Sequence, residues 1–149
     1  MQHFQMGIGV YEQGDHRFYI PTGATKDAFF DCRDIAAMGH GLIVNPSTTH
    51  FHGGAYELTG PTAVNGAEIA EILSHIAHQT VEHIDGLSAF EGRCAELGKS
   101  DWAKAVYIEA EEGWFSEVKS REFIEIVGRE PRSFAAWADD QVYWFKGDQ

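Results

Sequence analysis

Positive charge, cysteine and long apolar runs are all scarce in this sequence. Lys and Arg number 11 against 23 Asp and Glu, which gives a formal net charge of −12. A negative chain repels phosphate backbones and anionic membrane surfaces, so nucleic-acid and membrane partners are not expected. There is no run of about 18 apolar residues that would span a bilayer. Residues 1–4 also lack the pattern of a secretory signal. These absences predict a cytoplasmic protein.

The two cysteines, Cys32 and Cys94, lie far apart in the sequence and form no CxxC pair. Two such thiols are typical of a reduced cytoplasmic protein, and they do not predict a disulfide framework. Cys94 falls within a helical pattern and is predicted to be a small buried apolar residue. Cys32 follows a predicted helix cap, and a structural role is expected for it as well.

The composition is that of a folded protein. The chain has 149 residues, of which 44% are apolar and 23% charged, so a single compact domain is expected. Strand-like and helical patterns alternate over residues 1–86, and helical patterns alone follow over residues 87–149. Alternation is typical of α/β folds with parallel strands. The sequence therefore predicts an α/β fold with a small, mainly parallel sheet and a C-terminal helical subdomain, or helical cap, over residues 87–149.

Short apolar runs that end in turn signals predict four strands. They cover residues 17–20, 28–30, 55–58 and 80–84. Residues 2–13 instead place Phe4, Ile8 and Tyr11 at helical spacing, although three glycines weaken that pattern.

Capping residues predict where the helices begin. These are Asp31, Asn65 with Glu68, Ser88 with Glu91, and Ser133. Gly128 predicts the end of a helix, because glycine readily adopts the left-handed conformation that closes one. Asp31 is therefore interpreted as a cap, and Arg33 with Asp34 as a structural ion pair or an interface contact.

Three segments, in matching order and spacing, resemble a known family. Residues 18–23 (FYIPTG) and 29–36 (FFDCRDIA) resemble the strand, the turn and the Asp-x-Arg-Asp-Ile-Ala segment of NmrA-like proteins, which are atypical short-chain dehydrogenases. Residues 56–61 (YELTGP) and 67–70 (AEIA) resemble the family's YELTGP…AEIA segment. Residues 128–134 (GREPRSF) resemble its closing GRxPRSF. The resemblance implies a partial Rossmann-like (NmrA-like) fold.

The resemblance extends over about residues 15–145. Residues 1–4 also resemble a stretch that lies mid-chain in full-length family members, so the chain is expected to be the C-terminal portion of such a protein, truncated at an internal methionine. Family members open with a strand, a glycine-rich turn and a helix whose amides hold the dinucleotide. The nearest glycines here, Gly7, Gly9 and Gly14, fail that fingerprint in spacing and in context.

The acid of hydride chemistry is missing as well, because no Tyr in the chain is followed four residues later by Lys. The resemblance thus implies a relative of oxidoreductases that lacks the dinucleotide-binding half. No cofactor is expected in this chain, and NAD(P) is expected only if the missing half is supplied.

The eight histidines do not form a recognisable metal motif. His50 and His52 flank Phe51 in a loop and could share a metal ion, but no third ligand is identifiable, so they are weak candidates. His75 and His78 lie on one helix, with His83 just beyond. Since HExxH is absent, these three are interpreted as ordinary helix and strand histidines.

Aromatic residues are dense in the last third of the chain, which suggests a helical cap over an apolar pocket. The resemblance implies that the segment matching residues 1–20 lines the same cleft. The candidate ligand-contacting residues are Phe4, Ile8, Tyr11, Phe18, Trp102 and Trp114.

Three functional hypotheses follow. The first is a protein that binds a small apolar or aromatic molecule and has no catalytic activity toward NAD(P)H by itself. The second is an enzyme, either independent of a cofactor or an oxidoreductase active only in assembly with another chain. The third is a regulatory protein-interaction module. A homodimer is also predicted, because strands that lose their neighbours leave edges that invite pairing with another chain.

Overall fold

The computed structural model describes residues 10–12 (backbone only), 16–21, 23–45, 47, 53–99, 101, 105, 118 and 120–142. Its strands are β1 (Val10–Glu12), β2 (Arg17–Tyr19) and β3 (Glu82–Ile84). Its helices are α1 (Cys32–Val44), α2 (Gly66–Ala77), α3 (Leu87–Glu96), α4 (Arg121–Val127) and α5 (Phe134–Asp140). The α/β class predicted from the sequence is confirmed.

The three strands form one sheet in the order β1-β2-β3. β2 runs parallel to β3, with Tyr19 opposite Ile84. β1 runs antiparallel to β2, with Tyr11 opposite Phe18. The predicted strands at 17–20 and 80–84 are therefore confirmed. The helical pattern of residues 2–13 does not hold at residues 10–12, because Val10–Glu12 form a strand that pairs with β2. Pairing with a neighbouring strand overrides a weak local helical pattern.

The strands predicted at residues 28–30 and 55–58 do not form. Asp27 makes a single antiparallel bridge with Val64, and Gly60 donates its N–H to the carbonyl of Ala28 at 3.0 Å. The bridge between Asp27 and Val64 is isolated, and after residue 30 the chain enters the cap of α1. Both segments are extended connections that pack against the helices.

Four helix ends follow the predicted capping residues. Asp31 accepts a hydrogen bond from the backbone N–H of Arg33 at the start of α1. Asn65 and Glu68 form the full reciprocal capping box of α2, each bond 3.0 Å long. Gly128 closes α4 at a left-handed φ of 80°. The side chain of Ser133 caps α5.

The second predicted capping box, Ser88 with Glu91, is wrong. α3 begins at Leu87 with Gly86 at the N-cap position, and no side chain caps it. Gly86 has a φ of 103°, and the helix therefore begins two residues earlier than the sequence suggests. Ser88 consequently lies inside the first turn.

The core has two parts. The larger, core cluster A, joins β2, α2 and α5, and consists of Phe18, Ile20, Ile69, Leu73, Ala77, Val81, Phe134, Trp137 and Ala138. The smaller, core cluster B, joins α1 to α4 through Met38, Phe123 and Ile126, with Tyr56 packed at its margin. Gly41 of α1 lies directly against Ile126, where even a Cβ would come within 2.9 Å of that side chain. α1 and α4 therefore approach each other closely.

Neither cysteine takes part in a disulfide, and Cys94 is buried as predicted while Cys32 is exposed. None of the helices in the described part of the chain is long and apolar enough to cross a membrane.

Candidate functional site

The carboxyl ends of the parallel strands β2 and β3 meet at one edge of the sheet, where α/β folds commonly hold their ligands. The Asp85 carboxylate, just after β3, accepts hydrogen bonds from the backbone N–H of Gly23 at 3.1 Å and of Gly86 at 2.8 Å. The side chain therefore ties together the loops that follow the two strands. Its role in this structure is to fix the shape of that edge.

His83 occupies the middle of β3 and faces α2. Its Nε2 lies 2.7 Å from the carbonyl oxygen of Ile20, and its ring stacks on Phe18 with centroids 5.0 Å apart. The ring also lies against Gly66, where a Cβ would come within 2.1 Å of an imidazole carbon. Glycine at position 66 is thus required for the helix to begin beside this histidine.

No group of three or more His, Cys, Asp or Glu among the described residues is arranged to hold a metal ion. His75 is exposed on α2 and His78 is exposed at its C-cap, whereas the His83 ring contacts the Ile20 carbonyl, so the three do not converge. His50 and His52 lie outside the described residues.

The predicted ligand-contacting residues are only partly described. Phe18 has no exposed surface and belongs to core cluster A. Within the described residues its ring stacks on His83 and supports the sheet, and a ligand contact for it stays a prediction. Tyr11 is described through its backbone in β1. Phe4, Ile8, Trp102 and Trp114 lie outside the described residues, so their ligand contacts stay a prediction.

An open groove of about 970 Å³ lies between the extended segment at residues 55–57 and α4. Tyr56, Val118 and Ile124 provide its apolar surface. Its charged lining consists of Glu57, Arg121, Glu122 and Glu125. Arg121 pairs with Glu125 one turn away at 2.9 Å, so part of this charge is neutralised locally. Sequence reasoning missed the groove, because its two walls are more than sixty residues apart and neither carries a local ligand motif.

Tyr56 is held in a fixed position at the groove. Its side chain is half-buried, packs against core cluster B, and brings its hydroxyl over the backbone of Gly54, where a Cβ would lie 2.2 Å from the oxygen. An amphipathic ring supported by the core is well suited to contact a flat apolar molecule.

A network of three carboxylates and three arginines joins α1 to the C-terminal part of the fold. Asp34 is fully buried and accepts hydrogen bonds from Arg129 Nη2 and from the backbone N–H of Arg132, both at 2.6 Å. Asp31 is also fully buried and accepts from the Arg33 guanidinium at 2.6 and 2.9 Å. The network thus joins the segment at residues 29–36 to the segment at residues 128–134.

The predicted pairing within this network needs correction. Arg33 does not pair with Asp34, because consecutive helical residues point in different directions. Arg33 instead reaches Asp31 and, at 2.7 Å, Asp140 of α5. Hydrogen bonding to Asp31 is the main cause that raises the pKa of the Arg33 guanidinium above its ordinary value, with Asp140 adding to the effect. Arg132 contributes mainly its backbone N–H, since its side-chain Nε lies 3.9 Å from Asp31 and has no hydrogen-bond partner among the described residues. The network thus has a structural role.

Two proteins similar in sequence to this chain are an azoreductase and an oxidoreductase. No family model matches the chain. An NAD(P)H azoreductase of Xenophilus azovorans is 30% identical over 134 residues, which cover 87% of this chain and 45% of the azoreductase. An uncharacterized oxidoreductase of Bacillus subtilis (strain 168), YesF, is 30% identical over 144 residues, which cover 89% of this chain and 47% of that protein.

The fold has a solved counterpart in a nucleoside-diphosphate-sugar epimerase of Staphylococcus aureus, with a TM-score of 0.71 and 20% identity over 91% of this chain and 47% of that one. The chain is a relative of the NmrA-like, atypical short-chain dehydrogenases. Its fold is Rossmann-like, and its similar proteins are oxidoreductases and an epimerase. The chain spans about half the length of these similar proteins.

Proposed function

We propose that this chain binds a small apolar or aromatic molecule, as the substrate-binding part of an NmrA-like, NAD(P)H-dependent oxidoreductase. The observation that carries the proposal is the similarity to an NAD(P)H azoreductase over 87% of this chain but only 45% of that protein. An azo compound, the substrate class in that relative's name, is a flat aromatic molecule of the kind proposed here.

The groove beside α4 supports this function. Its apolar surface combines a tyrosine held by the core with aliphatic side chains, and its rim is polar, a composition common in small-molecule sites. The volume of about 970 Å³ accommodates a molecule of two aromatic rings. We therefore place the ligand against Tyr56, Val118 and Ile124.

In this proposal the cofactor is held by the part of the fold that the chain does not span. The sequence contains no strand, glycine-rich turn and helix in the order that holds a dinucleotide pyrophosphate. NAD(P)H would supply the hydride in a complete NmrA-like protein. This chain would orient the acceptor molecule and keep it away from water.

Two titrations test the proposal on the purified chain. An azo dye should bind with a dissociation constant on the order of 10 μM, followed by its absorbance change. NADPH, followed by its fluorescence, should not bind at low micromolar concentration, which corresponds to about −8 kcal/mol. Tight NADPH binding would contradict the proposed division of roles.

A matched pair of variants locates the ligand. Val118→Asp places a charge in the apolar part of the groove and should weaken dye binding about tenfold. Leu97→Asp is the control, because Leu97 lies outside the groove lining and is similarly exposed, at 42% against 46% for Val118. Equal dye affinities of the two variants would show that the dye does not bind in the groove.

A further inference from the structure

Helix α1 has an apolar outer surface that nothing in the described part of the chain covers. Ile43 is 85% exposed, Val44 57% and Ile35 51%. On a helix, residues four apart lie on one face, so Ile35, Gly39 and Ile43 form a continuous stripe, with Ala36 beside it. We define these four residues as the α1 outer stripe.

The opposite side of α1 packs against the rest of the fold. Asp34 and Met38 are buried there, and Gly41 lies against Ile126 of α4. Between Ile35 and Asn45 there is no Asp, Glu, Lys or Arg, although the chain as a whole carries a net charge of −12. His40 is the one polar side chain in that stretch. An exposed helix face made largely of aliphatic and small residues is typical of a helix that packs between two layers of structure, and the described residues supply one such layer.

The stripe also has the shape of a packing surface. A Cβ built on Gly39, at the centre of the stripe, would meet nothing within 4 Å. Small residues flanked by large aliphatic ones let another element approach closely, with the isoleucines filling the space to either side.

We propose that the α1 outer stripe docks the remainder of the NmrA-like fold, the part that these 149 residues do not span. The chain covers 45% and 47% of two relatives and 47% of the solved epimerase, so more than half of each of those proteins lies outside the matched portion. Some surface of the matched portion must contact that remainder, and among the described residues Ile43 of α1 is the most exposed large apolar side chain. The inference goes beyond the proposed function, since it names a protein surface and depends on no ligand.

A second copy of this chain is a weaker candidate for the occupant. Two crossing helices of this length bury less than the roughly 1,200 Å² that a stable interface needs. Two chains of net charge −12 also repel each other. A larger layer of complementary structure is not limited in buried area in this way.

The test mixes this chain with a separately produced polypeptide, namely the portion of the Xenophilus azoreductase that the chain does not match. Analytical ultracentrifugation should detect a one-to-one complex. Ile43→Glu should weaken it at least about tenfold, as expected for a charge buried at an interface. Leu97→Glu, a change at an exposed apolar residue on the C-terminal cap of α3, should leave it unchanged.

A labelling experiment gives a second, independent readout. In a Cys32→Ser background, the thiol of Ile43→Cys should react rapidly in the chain alone and slowly in the mixture, whereas the thiol of Leu97→Cys should react rapidly in both. Ile43→Glu should leave the melting temperature of the isolated chain within about two degrees, because the side chain is exposed there.

Three results would overturn the proposal. They are the absence of a complex, a complex that tolerates Ile43→Glu with the thiol at position 43 still reactive, and a dimer of this chain alone that Ile43→Glu dissociates. The last would assign the stripe to a second copy. Dye binding by the isolated chain is measured separately, so failure of the docking surface and failure of the proposed function are distinguishable.

Discussion

Helices α1 and α2 have similar lengths, 13 and 12 residues, and each begins at a side-chain cap, but their solvent-facing surfaces differ. α2 buries Ile69, Leu73 and Ala77 and places Glu71 and His75 in solvent. α1 buries Asp34 and Met38 and exposes isoleucines. Thus α2 is polar on its solvent-facing side and apolar on its buried side, whereas α1 buries Asp34 and exposes Ile35 and Ile43.

The contrast shows which part of the fold is complete by itself. α2 is an ordinary amphipathic helix whose one apolar face is satisfied by core cluster A. α1 is held through ionic contacts on its inner side, and its outer side suits a second layer that this chain does not supply among the described residues. α2 should therefore depend mainly on apolar burial and local capping, and α1 on the Asp–Arg network.

The largest expected effect is at Asp34 of α1. Asp34→Ala removes a buried carboxylate that joins α1 to Arg129 and to the backbone of Arg132, leaving a partly buried N–H and a guanidinium without their acceptor. We expect a loss of about 3 kcal/mol in the free energy of unfolding, measured by urea denaturation. Asp140→Ala, which removes the exposed partner of Arg33, should cost less than about 1 kcal/mol. Equal losses would mean that burial does not govern the network.

The second prediction concerns the cap of α2. Asn65→Ala removes the acceptor for the Glu68 N–H and half of the reciprocal box, so we expect a loss of about 1 kcal/mol. Ser88→Ala is the control, since Ser88 lies within the first turn of α3 and caps nothing in this structure. Its free energy of unfolding should change by less than about 0.5 kcal/mol. A larger loss for the serine variant would restore the capping box expected from sequence.

The smallest effect is a pH dependence at the same cap. The contact with Lys26, and then the hydrogen bond from the Asn65 N–H, lower the pKa of Glu68 from its ordinary value of 4.5. A lowered folded-state pKa stabilises the fold above the unfolded-state pKa, and that stabilisation is lost as the pH falls through the folded-state value. The wild-type melting temperature should therefore exceed that of Glu68→Gln at about pH 6, and the difference should vanish near about pH 3. Lys26→Met should reproduce part of the loss at the higher pH, and a pH-independent difference would exclude this ionic origin.

Features that depend on residues close together in the sequence were predictable, and features that depend on distant residues were not. Asp31, Asn65 and Ser133 were predicted as caps correctly because capping joins residues three apart or fewer. β1 was mistaken for a helical segment, because helical spacing within one segment cannot show that Val10–Glu12 pair with β2. The predicted homodimer and the full set of ligand contacts stay predictions.

The site itself was the least predictable feature. The groove joins Tyr56 to α4, and the Asp34–Arg129 pair joins residues 95 positions apart. Motif resemblance indicated that these segments belong to one family, but not which atoms meet. Arg33 beside Asp34 suggested an ion pair from adjacency alone, whereas helical geometry directs the two side chains to different partners.

The long separation within the Asp34–Arg129 pair also sets an order of events during synthesis. The capping box of α2 can form as soon as its own few residues have left the ribosome. The carboxylates of Asp31 and Asp34 emerge early, but Arg129 and Arg132 follow about a hundred residues later, at a rate of roughly 5–20 residues per second. For that interval of several seconds the nascent chain carries α1 without its anchoring arginines. The anchoring of α1, and with it core cluster B, is thus completed only when the last fifth of the chain has been made.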